Sequence, residues 1–371
     1  MKIKTITCHD VYNVGASLQA YALVAYLNQL GHEAEIIDYK PDYLSRHYSL
    51  LVITNPKYNI PLLREAYLLA KLPERLKARR SRRKKEYDEF TKMMLPLTAK
   101  CYHSNEELIL NPPDADVFFA GSDQIWNAVY QNGRDPAFYL DFVPEGKVKA
   151  SYAASFATES IPEVWRNQIQ QWIRGLDNIS VRESSGVRIL EEMGIHGAVQ
   201  VMDPVFLLSE EEWERIEKTV DSSEPYLLVY DFDQNPAIAR YARQMAEKNN
   251  WKIYSILPCS YCDRCFSEEG PQAFVGLVRN AQFVVSNSFH ATAFSMIFRK
   301  QFVVFNRVEK INTRMRDLME SVGIDGNIIS EKNLWQEPKW IDYSQVLKQL
   351  DESVQYSKNF IDCVIKLGKL K

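Results

Sequence analysis

The feature that most restricts how this chain can fold is its alternation of short apolar runs with stretches of helical period, repeated along most of its length. Parallel strands need a crossover between them, usually a helix, so this rhythm is that of an α/β protein with parallel sheets. The first unit is the clearest. Residues 3–8 predict a strand and residues 9–16 a loop containing Asn13-Val14-Gly15. Residues 17–30 predict a helix with Leu18, Ala22, Ala25 and Leu30 on one face, stopped by Gly31. Further strands are predicted at residues 33–38, 117–120, 148–153, 179–181 and 198–201. Residues 209–218 read as a helix and 221–225 as a polar loop, after which strands resume at 226–230, 252–256, 283–285 and 302–305. A long, basic helical region at 60–95 interrupts the rhythm, and residues 343–367 predict a long terminal helix.

A length of 371 residues favours about two domains. The boundary is expected between Asp203-Pro204 and Pro225, dividing the chain into 1–207 and 208–371 with a small-molecule cleft between them. Apolar residues at 46% and charged residues at 25% are those of an ordinary soluble globular protein. A net charge of −3 gives no basis for nucleic acid as the main partner. No apolar run approaches the ~20 residues that span a bilayer, and the first residues lack the apolar core of a signal peptide. The six cysteines are then expected as reduced thiols in a cytoplasmic protein.

Several segments carry candidate chemistry. The run Val284-Val285-Ser286-Asn287-Ser288-Phe289-His290 passes from an apolar strand into small polar residues and a histidine, before a buried helix predicted at 291–298. That junction lies at a strand's carboxyl end, where open α/β sheets hold ligands and a helix N-terminus offers N–H groups to an anion. His290 there can serve as acid, base or anion contact, or simply cap the helix or sit at the edge of the core. In the first loop Gly15 permits close backbone approach and Ser17 can cap the helix, although an ordinary turn has the same residues. Gly121-Ser122-Asp123-Gln124-Ile125-Trp126-Asn127 crowds a carboxylate, two amides and an indole at a strand end, suited to orienting hydroxyl groups with Asp123 as base. Its structural alternative is a helix cap with Trp126 in the core. Arg182 offers bidentate recognition of carboxylate or phosphate, against a surface ion pair with Glu183. Arg307, Lys310 and Arg314 follow another strand and extend this cationic set, while Arg316 is assigned to a solvated helix face.

Two more features stand apart. Cys259, Cys262 and Cys265 have C-x2-C-x2-C spacing, but zinc needs a fourth ligand, and Cys8, Cys101, Cys363 and His290 are all remote in sequence. A metal there is the minor reading. Residues 75–85 are strongly basic, which fits peripheral contact with anionic lipid at the inner face of the plasma membrane, binding of an acidic acceptor or, alternatively, a solvated helix paired with Glu86, Asp88 and Glu89.

Taken in order, these segments resemble the polysaccharide pyruvyl transferase family. The matching stretches are Asn13-Val14-Gly15 to Gln19, Gly121 to Asn127, Ser151-Tyr152-Ala153-Ala154-Ser155-Phe156 and Ser180-Val181-Arg182-Glu183. They continue with Asp203-Pro204-Val205-Phe206-Leu207-Leu208, Ser288-Phe289-His290 and Arg314-Met315-Arg316-Asp317-Leu318. The resemblance implies a GT-B-like α/β architecture, two Rossmann-type domains facing a cleft, with the C-terminal helix packing back on the N-terminal domain. It implies transfer of pyruvate from phosphoenolpyruvate onto two sugar hydroxyls as a ketal, in capsule, exopolysaccharide or cell-wall glycan synthesis, on a lipid-linked or nucleotide-linked acceptor. No metal or other cofactor is implied. His290 matches the motif histidine, expected as general acid, with Asp123 acting on the acceptor hydroxyl. Donor contacts fall to Arg182, Lys310, Arg307, Arg314, Ser288 and Asn287. Acceptor contacts fall to Asn13, Gly15, Ser17, Gln19, Ser122, Gln124, Trp126 and Asn127. Many members carry arginine where this chain has Ser288. Two alternatives remain: a glycosyltransferase of the same fold using a nucleotide sugar, and a non-catalytic membrane-associated scaffold acting through the basic helix.

Overall fold

Runs such as Val117–Ala120 and Tyr226–Tyr230 are apolar throughout because they are buried on both faces, as central parallel strands are. The computed structural model describes residues 1–50, 60–221, 223–307, 313–329 and 337–370. Strands β1 (Lys2–Ile6), β2 (Glu33–Tyr39), β3 (Leu97–Tyr102), β4 (Val117–Ala120) and β5 (Val148–Ser151) form a parallel sheet in the order β3-β2-β1-β4-β5. β6 (Ser180–Val181) and β7 (Val199–Gln200) pair in parallel and join β5 through bridges at Ala150–Asn178 and Ala154–Val181.

The second sheet repeats this plan. Strands β8 (Tyr226–Tyr230), β9 (Lys252–Ser255), β10 (Arg264–Cys265), β11 (Phe283–Ser286), β12 (Gln301–Phe305) and β13 (Ile328–Ile329) run parallel in the order β10-β9-β8-β11-β12-β13. Each sheet reverses its winding beside its first strand, between β1 and β4 and between β8 and β11. Such switch points open a crevice at the strands' carboxyl ends.

Three strands escape the sequence pattern. β3 is an edge strand whose Ala99 and Lys100 are exposed, and β10 and β13 span two residues each, too short to show a period. The first helix, Val14–Gln29, starts earlier than predicted because Asn13 caps it, its side-chain oxygen accepting from the Ala16 N–H at 3.2 Å. Ser17 therefore lies inside the helix and does not cap it. The basic region forms two helices, Pro61–Arg79 and Arg82–Met94. Among the described residues, no helix is long and apolar enough to cross a membrane.

The two halves are joined by more than their linker. Trp213 is fully buried, donates from Nε1 to the Val205 carbonyl at 3.0 Å and packs on Tyr21 and Phe294, so it ties the first helix, the linker and the second half together. The terminal helix Tyr343–Leu370 leaves the second half and returns to the first. There Ser357 Oγ accepts from the Met202 N–H at 2.9 Å, and Gly368 lies against Val117. Arg82 pairs with Glu269 at 2.5 Å, Lys218 with Glu86 at 2.7 Å, and Arg83 donates to the carbonyls of Tyr12 and Ser267 at 2.7 and 3.1 Å. Part of the basic run at 75–85 is thus engaged within the protein, while Lys77, Arg79, Arg80 and Lys85 are exposed. Trp213→Ala should lower the free energy of unfolding by about 3–5 kcal/mol, the usual cost of deleting a buried aromatic side chain, read as a reduced urea midpoint with unchanged far-ultraviolet dichroism.

Candidate functional site

The site forms where the two switch points face each other. Beyond β11, the Ser288 N–H donates to Ser286 Oγ at 2.9 Å, and Ser288 Oγ caps the helix Phe289–Ile297 by accepting from the Ala291 N–H at 3.4 Å. His290 therefore sits in the first helical turn. Asn287 ties this turn to the loop after β8, donating to Asp231 at 3.0 Å and Asp233 at 3.3 Å and accepting from the Phe232 N–H at 2.9 Å. From the other half, the start of the helix Val14–Gln29 presses on the imidazole: a Cβ on Gly15 would fall 1.9 Å from His290 Nδ1. Only glycine allows this approach.

Asp123 follows β4 with a φ of 69°, the left-handed region that costs a non-glycine residue energy. Its carbonyl accepts from the Ser155 N–H at 3.0 Å, which pins that conformation. Its Oδ1 accepts from Arg182 Nη2 at 3.3 Å and lies 3.8 Å from Arg314 Nη1. Arg182, at the end of β6, also pairs through Nη1 with Asp203 Oδ2 at 2.5 Å, an oxygen that accepts from Ser122 Oγ at 3.3 Å as well. His290 Nε2 is 3.8 Å from the same oxygen. The ring of Phe289 lies 4.8 Å from the Arg182 guanidinium and 5.8 Å from that of Arg314, cation–π distances.

Burial governs the charges here. It pushes His290 down to about 4, with Arg182 adding to the effect and Asp203 opposing it. Burial also drives Arg314 down to about 10, helped by repulsion from Arg182. For Asp123 burial works against ionisation, yet Arg182 and then His290 and Arg314 hold it below the ordinary carboxylate range. Arg182 is likewise disfavoured by burial and held charged by Asp203 and Asp123. His290 Nε2 and the Nε atoms of Arg182 and Arg314 are buried without hydrogen-bond partners among the described residues. Unpaired buried polar atoms are costly, so three in one place mark a candidate ligand site.

His290 and Arg314 line a recess of about 110 Å³ together with Asn13, Gly15, Asp123, Gln124, Asn287, Ser288 and Arg307. Arg307 reaches Asp233 at 3.5 Å and lies 4.8 Å from the Phe232 ring. Arg182 stands behind this group, so ten of the predicted site residues converge.

Others do not. Gln19 is buried in its helix and donates to Thr7 Oγ1 at 2.9 Å and the Ala16 carbonyl at 3.0 Å, and Ser17 is buried beside it. Ser122 is spent on Asp203. Asn127 is buried, donating to Gln124 Oε1 at 3.0 Å and accepting from the Val129 N–H at 3.1 Å. Trp126 is fully buried, donates to the Phe138 carbonyl at 3.0 Å and stacks on Tyr139, the core alternative. These five are buried and lie outside the lining of the recess. Lys310 lies outside the described residues. Glu183 turns away from Arg182 and accepts from the N–H groups of Phe156 and Ala157 at 2.8 and 3.1 Å. Sequence reasoning missed Asp203 as a site residue, although Asp203-Pro204 was among the matching stretches. For His290, expected as general acid, burial disfavours the protonated form. Among the described residues no three His, Cys, Asp or Glu side chains form a metal-holding group, and Cys259, Cys262 and Cys265 are free thiols.

Two open parallel sheets facing each other across their switch points define a GT-B fold, and solved structures agree. A putative UDP-N-acetylglucosamine 2-epimerase from Listeria monocytogenes superposes with a TM-score of 0.52 at 10% identity, covering 98% of this chain and 95% of its own. The S. aureus MnaA–UDP complex gives 0.51 at 12%, with 97% and 88% covered, and Arabidopsis thaliana UGT89C1 complexed with UDP-L-rhamnose gives 0.50 at 9%, with 99% of each. At these identities the likeness concerns the fold alone. No curated protein matches the chain in sequence. The chain belongs to the polysaccharide pyruvyl transferase family, whose model matches residues 13–307.

Gly15→Ala should force the imidazole out of place, seen as a shift of the His290 ring resonances by NMR, with the fold retained. Stability should also follow the histidine. Its folded value of about 4 lies below the unfolded value of about 6.5, so the unfolded chain binds more protons between them. The His290 contribution to stability should therefore fall as pH drops from about 6.5 to about 4 and change no further below that. His290→Gln should flatten this part of the urea-unfolding pH profile.

Proposed function

We propose that this protein transfers a pyruvyl group from phosphoenolpyruvate to two hydroxyls of a sugar, forming a ketal, in the synthesis of a bacterial capsule, exopolysaccharide or cell-wall glycan. The observation that carries this reading is the recess itself. Two helix N-termini, two guanidiniums and an imidazole whose buried Nε2 has no hydrogen-bond partner among the described residues surround about 110 Å³. That suits a phosphorylated three-carbon acid. Larger ligands occupy about 300–1,000 Å³, which weighs against the whole of a nucleotide sugar there.

Arg307 and Arg314 receive the donor's carboxylate and phosphate, while Arg182, held by Asp203, braces Asp123. The donor's negative charge beside a neutral imidazole favours its protonation, so docking draws a proton onto His290. That proton passes to the methylene carbon, and C2 gains oxocarbenium character. A sugar hydroxyl adds to C2 and gives its proton to Asp123. Inorganic phosphate then leaves with the C–O bond electrons, the second hydroxyl closes the ring, and its proton departs with the phosphate. Arg314, reaching in beside Phe289, supplies the positive charge that Ser288 does not. Each step uses side chains alone, with phosphoenolpyruvate as co-substrate.

The test is phosphate release from phosphoenolpyruvate in the presence of a panel of sugars that includes neutral oligosaccharides as well as lipid-linked and nucleotide-linked sugars. Release should depend on the sugar and fall about 10²-fold or more in His290→Gln, the scale of lost acid–base catalysis. A rise in melting temperature with a UDP-sugar and none with phosphoenolpyruvate would refute the reading.

A further inference from the structure

Behind the recess lies a second, larger cavity of about 800 Å³. It is walled by the end of the β6–β7 pair, the helix Thr313–Ser321 and the first half of the terminal helix. Phe289 and Arg314 line both spaces, so they form the partition between them. Arg182 and Asp203 lie on the cavity side. We infer that this cavity is the acceptor site and that it takes an uncharged, hydroxyl-rich oligosaccharide, whose reacting sugar meets the donor at the Phe289–Arg314 partition. The inference rests on the pyruvyl-transfer reading.

Size is the first argument, since the volume falls in the range that holds a ligand of sugar dimensions, unlike the recess. Chemistry is the second. Gln200, Gln349 and Ser353 offer amide and hydroxyl groups, while Phe206, Phe289 and the 53%-exposed Tyr356 offer apolar surfaces for the C–H faces of a pyranose. Charge is the third, and it selects the class. The lining holds the carboxylates of Asp203, Asp317, Glu320 and Glu352 against the guanidiniums of Arg182 and Arg314. Both guanidiniums already lie against Asp123, and Arg182 also against Asp203. A phosphate-bearing sugar would enter a site of its own sign, whereas a neutral glycan bears no such penalty.

The walls are preformed. Asp317 accepts from the Ser184 N–H at 2.6 Å and the Ser184 hydroxyl at 3.0 Å, joining the halves on one side, and Ser357 joins Met202 on the other. Among the described residues the buried Nε atoms of Arg182 and Arg314 have no partners, as donors kept for a ligand do.

The experiment measures retention of the wild-type protein, Ser353→Trp and Tyr356→Ala on an array of neutral oligosaccharides and sugar nucleotides, alongside the thermal shift given by phosphoenolpyruvate. Wild type should retain neutral oligosaccharides. Ser353→Trp, which fills the cavity from the terminal helix, should lose about tenfold or more, and Tyr356→Ala should lose a comparable share, as when an aromatic anchor is removed. The phosphoenolpyruvate shift should persist in both. If Ser353→Trp fails to fold, the exposed Tyr356→Ala change carries the test. Retention unaffected by either variant, no retention of any neutral glycan by wild type, or cavity-dependent binding of sugar nucleotides alone would overturn the inference. Cavity-dependent glycan binding without a phosphoenolpyruvate shift would instead remove the donor reading and leave the cavity's ligand class standing.

Discussion

The Arg182 guanidinium, buried between Asp203 and Asp123, is the interaction on which the rest of the site depends. Moving such a cation out of water costs several kcal/mol, and only close carboxylates offset that. One of them comes from the segment leading into the second half and the other from the loop after β4, so the pairing sets the position of both. Asp203 in turn lies near His290, and Asp123 near Arg314. Through one arginine, groups from both sheets are held within a few ångströms. Removing either carboxylate would leave a buried charge uncompensated, which costs far more than an exposed ion pair contributes.

This arrangement also explains why the imidazole is neutral while surrounded by ionised groups. Desolvation is the largest influence and favours the uncharged ring, while the two carboxylates and the two guanidiniums act on it in opposite directions. An added anion acts in the same direction as the carboxylates, towards the protonated ring. Gly15 matters to the same balance: without a side chain there, the first helix closes over the ring and keeps water from it.

Much of the fold was legible in the chain. Central strands such as β4 and β8 are continuous apolar runs, as burial on both faces favours. The edge strands β3, β10 and β13 were not legible, because an edge is partly solvated and very short pairings have no period. Within the site, His290, Arg182 and Arg314 stood out as charged or titratable residues at element ends. Ser17, Gln19, Ser122, Trp126 and Asn127 were misread because polar residues near a strand end serve equally well as internal supports. Trp126 shows the ambiguity: its indole N–H finds a backbone carbonyl, so the whole side chain can be core.

By itself the sequence determined the α/β class, the junctions where strands hand over to helices, and the set of chemical groups available there. Those follow from local period and residue type, which act over a few residues. Tertiary structure alone decided which groups meet, that Asp203 completes the arginine's pairing, that the histidine is held without its proton, and that a partition of Phe289 and Arg314 divides a small recess from a larger cavity. Burial and distance between residues far apart in the chain control each of these, and neither is a property of any local stretch.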